Sequence, residues 1–463
     1  MTAAAALSIA LLTPLGASTG THASPVPPSL SAERALRGTM AWQPLEATAP
    51  LHAIEGYASQ TSVAPGQTLQ LHVSTRPAAK YQVQIFRLGW YGGQGGRLVT
   101  CAPACSARTK AGRPGQLVAP NPTTGMVRVR WSVTDKIRIP SNWASGYYIA
   151  KLVLDQKGPW PSLGRSAVVP FILRRPQQAR ASTVLVVSST NTEQAYNNWG
   201  GKSLYASGST GGVKATHVSF DRPYATQLYF FEADLMRFLE ESKLDVSYVT
   251  DVDIHARPQE LLRHKLVLVN GHDEYWSRRM FDAYERARDR GVNLAFFGGN
   301  IGDWQVRFED GNRTMVGYKS AAADPHPDPL EQTDRFEVLV PPRPQCRVIG
   351  TQFSDKVGVQ IDRFRINPAA ASDPWFKGTG FKGGDVFSSR SFEIDVEAPP
   401  GCVVGRMTTF FTAASNTRYA PAVRYIAPSG AVVFGAGSYA LSTGMTQPRL
   451  RRFVLNAITS MSR

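Results

Sequence analysis

At Thr183 the hydrophobic pattern of the chain changes period, and that change constrains the fold more than any other feature. Before it, "QTLQLHVST", "YQVQIFRLGWY", "GMVRVRWSVT", "GYYIAKLVL" and "RSAVVPFIL" alternate apolar and polar residues, with Gly, Pro and Asn clusters between them. Alternation with period two gives each strand one buried and one wetted face, as in an antiparallel sheet. After it, "TVLVVSS", "KLVLVNG" and "VNLAFFGG" are continuous apolar runs of the kind covered on both faces. Helical stretches separate these runs, among them "FEADLMRFLEES", with Phe231, Leu235, Phe238 and Leu239 on one stripe, and "RRMFDAYERARDRG". The expected architecture is an immunoglobulin-like β-sandwich over residues 53–175, a hinge at "RRPQQAR", and an α/β domain over 182–463 with a doubly wound parallel sheet. Beyond about residue 310 the pattern blurs into β and loop insertions.

A chain of 463 residues has room for such units and a large core. Its 51 Lys+Arg against 35 Asp+Glu leave a net charge of +16. The cations are spread out, with only short pairs such as Arg174-Arg175 and Arg451-Arg452, and no nucleic-acid motif accompanies them. A solvated basic surface is expected, with no nucleic-acid partner. The first 23 residues carry an apolar core from Ala3 to Leu12 and a small-x-small signature ending at Ala23, which predicts a secretory signal peptide without the usual basic start. Residues 24–52 are Pro/Ala-rich and are expected to form a linker. No segment is long enough in apolar residues to predict a transmembrane span. A secreted, periplasmic or envelope location follows, and four cysteines suit it. Cys101 can pair with Cys105, and Cys346 with Cys402, as staples in an oxidising compartment. Zinc ligation is not expected, because no His or Cys stands beside them at ligand spacing.

The exits of the apolar runs are rich in functional groups. "STNTEQAYNNWGGKSLY" follows the first, "GHDEYWS" the third and "GGNIGDWQVRFE" the fourth. In an open parallel sheet the pocket lies beyond the carboxyl ends of the strands, so these exits are expected to share one cleft. No G-x-S-x-G elbow occurs at any of them, and Asn300 stands where a nucleophile would be expected. A covalent Ser or Cys mechanism is disfavoured. Glu274, His272, phenols and an amide remain, a hard oxygen-rich set that suits iron(III), manganese, magnesium or calcium better than zinc.

In their order, "AYNNWGGKSLY", "NGHDEYWS" and "FFGGNIGDWQVRFE", behind a β region containing "SGYYIAKL", resemble the N,N-dimethylformamidase large-subunit (beta) family from about Ile54 onward. The resemblance implies a class I glutamine amidotransferase-like α/β domain beside a β-sandwich. It also implies a mononuclear non-haem iron held by two tyrosinates and one glutamate, and hydrolysis of a C–N bond in a small amide. Carried onto this chain, the metal ligands are Tyr148, Tyr196 and Glu274, and the catalytic residues are His272, Asn300 and Glu393. The chain departs from the family in its export signal, its shorter length, and its own linker and cysteines. The carry-over therefore extends to the fold and metal cage, and not to formamide itself or to a small partner subunit. A competing expectation is a non-catalytic secreted protein that binds carbohydrate or cell wall through Trp199, Trp276 and Trp304.

Overall fold

The computed structural model describes residues 30–43, 51–106, 108–155, 165–224, 230–355 and 360–463. The expected signal peptide lies outside the described residues, as does most of the expected linker. Within that linker stretch, helix Leu30–Arg34 and Trp42 are packed: Glu33 accepts from Arg97 at 2.8 Å and Trp42 Nε1 donates to the Gln94 carbonyl at 2.9 Å.

The alternating N-terminal segments form two sheets. Ile54–Ala58, Thr68–Thr75 and Asp135–Arg138 make an antiparallel three-stranded sheet. Ser62–Val63, Ser166–Leu173, Gly146–Leu154, Lys80–Leu88 and Gly96–Ala102 lie side by side in a larger one, with Lys110–Ala111 added at its rim. Leu69, Leu71 and Val73 from the first meet Val83, Ile85, Ala150 and Leu152 from the second in one core. Both disulfides form as expected, with Cα–Cα separations of 4.8 Å for Cys101–Cys105 and 5.9 Å for Cys346–Cys402.

A nine-stranded sheet organises the rest. Its order is Val246–Thr250, Val184–Ser188, Leu266–Asn270, Asn293–Phe297, Val432–Gly435, Ala422–Ile426, Met407–Ala413, Ile361–Ile366 and Val386–Ser391. The first five are mutually parallel. Their continuous apolar runs arise because alternate residues serve opposite cores. Val184, Val186, Leu266 and Leu268 pack against helices Phe230–Glu241 and Pro448–Met461. Leu185, Val187, Val267 and Val269 pack on the other face against helix Arg278–Asp289. The carboxyl ends are level: Ser188 pairs with both Thr250 and Asn270, and Asn270 with Phe297.

The remaining four strands overturn the expected fold class. They return antiparallel, and His217–Ser219, Thr314–Val316, Trp304–Glu309 and Tyr275–Ser277 form a separate four-stranded sheet. Among the described residues 31% lie in strands against 21% in helices, a mixed, multi-sheet β-rich structure. It is not an immunoglobulin-like sandwich joined to a doubly wound parallel-sheet domain of glutamine amidotransferase type. The physical reason lies after residue 360, where Val386–Ser391 alternates buried and exposed positions and Ile361–Ile366 does so apart from the register shift between Ile361 and Arg363. Such strands cover a core with one face only, and antiparallel pairing accommodates that.

Candidate functional site

The site begins where strand Leu266–Asn270 ends. Gly271, at φ 80°, turns the chain, and the next residues sort themselves by direction. His272 and Glu274 face the cleft, whereas Asp273 accepts from Trp276 Nε1 at 2.8 Å and Trp276 is buried in the core. The backbone of this exit is sewn to the next one. Gly302 N donates to the Asp273 carbonyl at 2.7 Å and Trp304 N to the Glu274 carbonyl at 3.0 Å. The pairing of Tyr275 with Trp304 continues that seam as a short parallel ladder.

Glu274 is the hub. Its Oε2 accepts from the Tyr205 hydroxyl at 2.5 Å and the Tyr196 hydroxyl at 3.2 Å. Its Oε1 accepts from Trp304 Nε1 at 2.9 Å. His272 Nε2 lies 3.4 Å from Oε2 and 3.4 Å from the Tyr196 hydroxyl. A third phenol joins through Tyr205, whose hydroxyl accepts from that of Tyr275 at 2.6 Å. Tyr196 closes helix Thr190–Tyr196, and the glycine turn at Trp199–Gly201 brings Tyr205 back to stack on it at 4.2 Å.

The electrostatics follow from burial and from these partners. Burial alone would raise the Glu274 carboxyl, but His272, Lys319 and Tyr205 outweigh it and pull the group down to about 2. Burial would lower His272, but the neighbouring Glu274, Glu393 and Asp273 carboxylates raise it. Burial and then the Glu274 charge push both Tyr196 and Tyr205 far above the ordinary phenol range. The Lys319 ammonium sits 3.6 Å above the Tyr205 ring centre and 4.6 Å from that of Trp304. Burial brings it down to about 8, against the pull of Glu274.

On the other side of His272 stands a second carboxylate. Glu393 Oε1 is 3.9 Å from His272 Nε2, and its Oε2 accepts from Asn300 Nδ2 at 3.1 Å. The Asn300 backbone, left-handed at φ 54°, is held by Asp395 at 2.8 Å. This approach depends on Gly299, where a Cβ would stand 1.8 Å from the Glu393 carbonyl oxygen. Glu393 also borders a pocket of about 300 Å³ with Phe353, Asp355 and Phe392.

The structure thus brings together Tyr196, His272, Glu274, Asn300 and Glu393. Tyr148 is not among them. Its hydroxyl donates to the Ala144 carbonyl at 2.8 Å, and its ring is stacked between Trp143 and Phe171 in the N-terminal core. Strand alternation assigns Tyr147 and Tyr148 to opposite faces, and neither face is the cleft. Tyr147 bonds Glu232 instead. Tyr205 and Lys319 were invisible to pattern reading, because both sit in loops with no period, although Tyr205 closes the quoted "WGGKSLY" stretch. The tryptophans form no shared platform: Trp199 and Trp276 are buried at 4% and 0% exposure, and Trp199 Nε1 donates to Glu55 at 2.8 Å.

Among the described residues no group of three His, Cys, Asp or Glu could hold a metal ion. A centre here would have to draw on phenols, and the residues fit one. Two phenol oxygens meet one carboxylate oxygen, which is a hard donor set. Nearby, His272 Nδ1 and Asn300 Oδ1 are buried without a hydrogen-bond partner.

A mixed sheet that gathers a carboxylate, an imidazole and phenols at level strand exits defines a class of pocket, and the sequence family is more specific. The chain belongs to the family described as N,N-dimethylformamidase beta subunit-like, C-terminal, whose model matches residues 82–452. No curated protein matches the chain. Among solved structures, a family 123 glycoside hydrolase from Clostridium perfringens aligns at 7% identity and a TM-score of 0.13, over 58% of this chain and 53% of that one. The chain thus spans about half the length of that structure, and the score is too low to bear on fold or function.

Proposed function

We propose that the chain is a metal-dependent hydrolase that cleaves the C–N bond of an amide, with iron held by Tyr196, Tyr205 and Glu274. The observation that carries this reading is the convergence of both hydroxyls on Glu274 Oε2 beside His272. Tyr205 takes the place first given to Tyr148. In the bound state the two phenols would be tyrosinates, since a cation replaces the protons they otherwise donate to Glu274. The ion would supply carbonyl polarisation and more acidic water.

The chain's own residues do the rest. An amide enters from the pocket beside Glu393 and Phe392. Glu393 accepts a proton from water as the water oxygen bonds to the carbonyl carbon. Asn300 steadies Glu393 through its amide, and His272 holds a proton at Nε2 between Glu274 and Tyr196. As the C–N bond breaks, the proton passes from Glu393 to the departing nitrogen, leaving a carboxylic acid and an amine, and transfer of the acid proton to the amine gives the carboxylate and the ammonium. We further propose an export destination, which the two disulfides support. Among the described residues no helix is long and apolar enough to cross a membrane.

The reading is tested with a panel of small amides, following amine release by wild type, Glu393→Gln and Glu274→Ala. Glu393→Gln is expected to lower kcat by about 10²-fold or more while retaining the metal, the usual scale for losing a general base. Glu274→Ala is expected to lose both activity and metal. Turnover that survives Glu274→Ala would sink the proposal.

A further inference from the structure

The positive charge of the chain is not evenly placed in the fold. A cavity of about 450 Å³ opens at the amino-terminal edge of the parallel strands, lined by Arg34, Arg174, Arg175, Arg180 and Lys243. These come from three separated stretches: helix Leu30–Arg34, the connection after strand Ser166–Leu173, and the turn after helix Phe230–Glu241. Asp245 is the one acidic residue in the lining, and Arg175 already pairs with it at 2.7 Å. Arg174 is 3.3 Å from Asp253. Arg34 donates to the Leu244 carbonyl at 2.9 Å, lies 4.0 Å from Glu240, and keeps a buried Nε without a hydrogen-bond partner. Arg180 and Lys243 are exposed, and among the described residues their side chains make no hydrogen bond or ion pair.

Five cations around one concavity repel one another, and the low-dielectric wall concentrates their field on whatever enters. The negative end of a helix accounts for one lysine at Lys243, not for four arginines. Guanidinium forks match the oxygens of phosphate and carboxylate groups, and two unpaired cations match a dianion. We propose that this cavity is a binding site for a phosphoryl group, carried either as free phosphate or on a phosphate-bearing polymer. The site is distinct from the Glu274 cluster. The Asp245 carbonyl accepts from Val184 N at the start of a parallel strand, whereas Glu274 lies past a strand exit. Five residues of strand, roughly 16 Å, separate the two edges.

Calorimetric titration of the whole protein with inorganic phosphate, and separately with polyphosphate, tests this at fixed ionic strength. Arg180→Glu/Lys243→Glu should weaken binding tenfold or more without lowering the unfolding temperature in phosphate-free buffer, because neither side chain has a partner to lose and the substitutions relieve repulsion. Binding of free phosphate identifies a small-anion site; binding of the polymer alone identifies the polymer as the source. Equal affinity in wild type and the double variant, or no heat with either probe beyond that of matched sodium chloride, would overturn it.

Discussion

Glu232 shows how a single buried carboxyl sets a pH dependence in this protein. It accepts from Ser189 N at 2.7 Å, from Ser188 Oγ at 2.9 Å and from the Tyr147 hydroxyl. Burial outweighs these donors and pushes the group up to about 7. The folded chain therefore holds a proton that the unfolded chain releases near the ordinary Glu value. The resulting stabilisation is full below that value and is lost as pH rises towards 7 and beyond. Denaturation midpoints at pH 5 and pH 8 should show wild type losing on the order of 1–3 kcal/mol across the interval, and Glu232→Gln losing less. Equal losses would contradict the assignment. At the same scale, the sequence makes Tyr196, His272, Glu274 and Asn300 legible because each stands within a few residues of an apolar run. Tyr148 misleads because alternation states which residues share a face and not what that face meets. Tyr205 and Lys319 reach the cleft only through loop geometry, which leaves no periodic trace.

Glycines in the exit loops decide whether two elements can touch. Gly298 and Gly299 let the exit of strand Asn293–Phe297 pass under the Gly271 and Glu393 carbonyls. Gly299→Ala should force the Glu393 segment away, at a stability cost of about 1–3 kcal/mol from overpacking. The expected result is a loss of turnover with the metal retained, since Tyr196, Tyr205 and Glu274 belong to other exits. Turnover equal to wild type would show that Glu393 has no part in the reaction. The parallel strands are legible as elements because burial on two faces writes an unbroken apolar run. Their antiparallel neighbours are not, since strands such as Met407–Ala413 carry no unbroken apolar run, follow irregular insertions, and pair with shifts in register.

The two halves of the molecule are clasped by a buried ion pair. Arg87, on the six-stranded sheet, bonds Glu240 of helix Phe230–Glu241 at 2.7 and 3.1 Å, and both side chains are fully buried. Arg87→Ala should cost about 3–5 kcal/mol, because it strips the buried Glu240 of its two-pronged partner and leaves it only the Tyr248 hydroxyl at 3.0 Å and Arg34 at 4.0 Å. Denaturant unfolding of the whole chain checks this, and a loss below about 0.5 kcal/mol, as for an ordinary surface substitution, would show the contact to be dispensable. Composition and hydropathy announce two packed regions but not the clasp, which joins residues 153 positions apart. The candidate metal ligands are also far apart in sequence, with Tyr205 and Tyr196 standing 69 and 78 positions from Glu274. Iron content and the visible tyrosinate-to-iron absorption, measured together on wild type, Tyr205→Phe and Tyr148→Phe, test the metal reading most directly. One iron per chain is expected, with an absorption band that Tyr205→Phe weakens or shifts and Tyr148→Phe leaves alone. A protein without iron, or a band that survives Tyr205→Phe and vanishes with Tyr148→Phe, would contradict it.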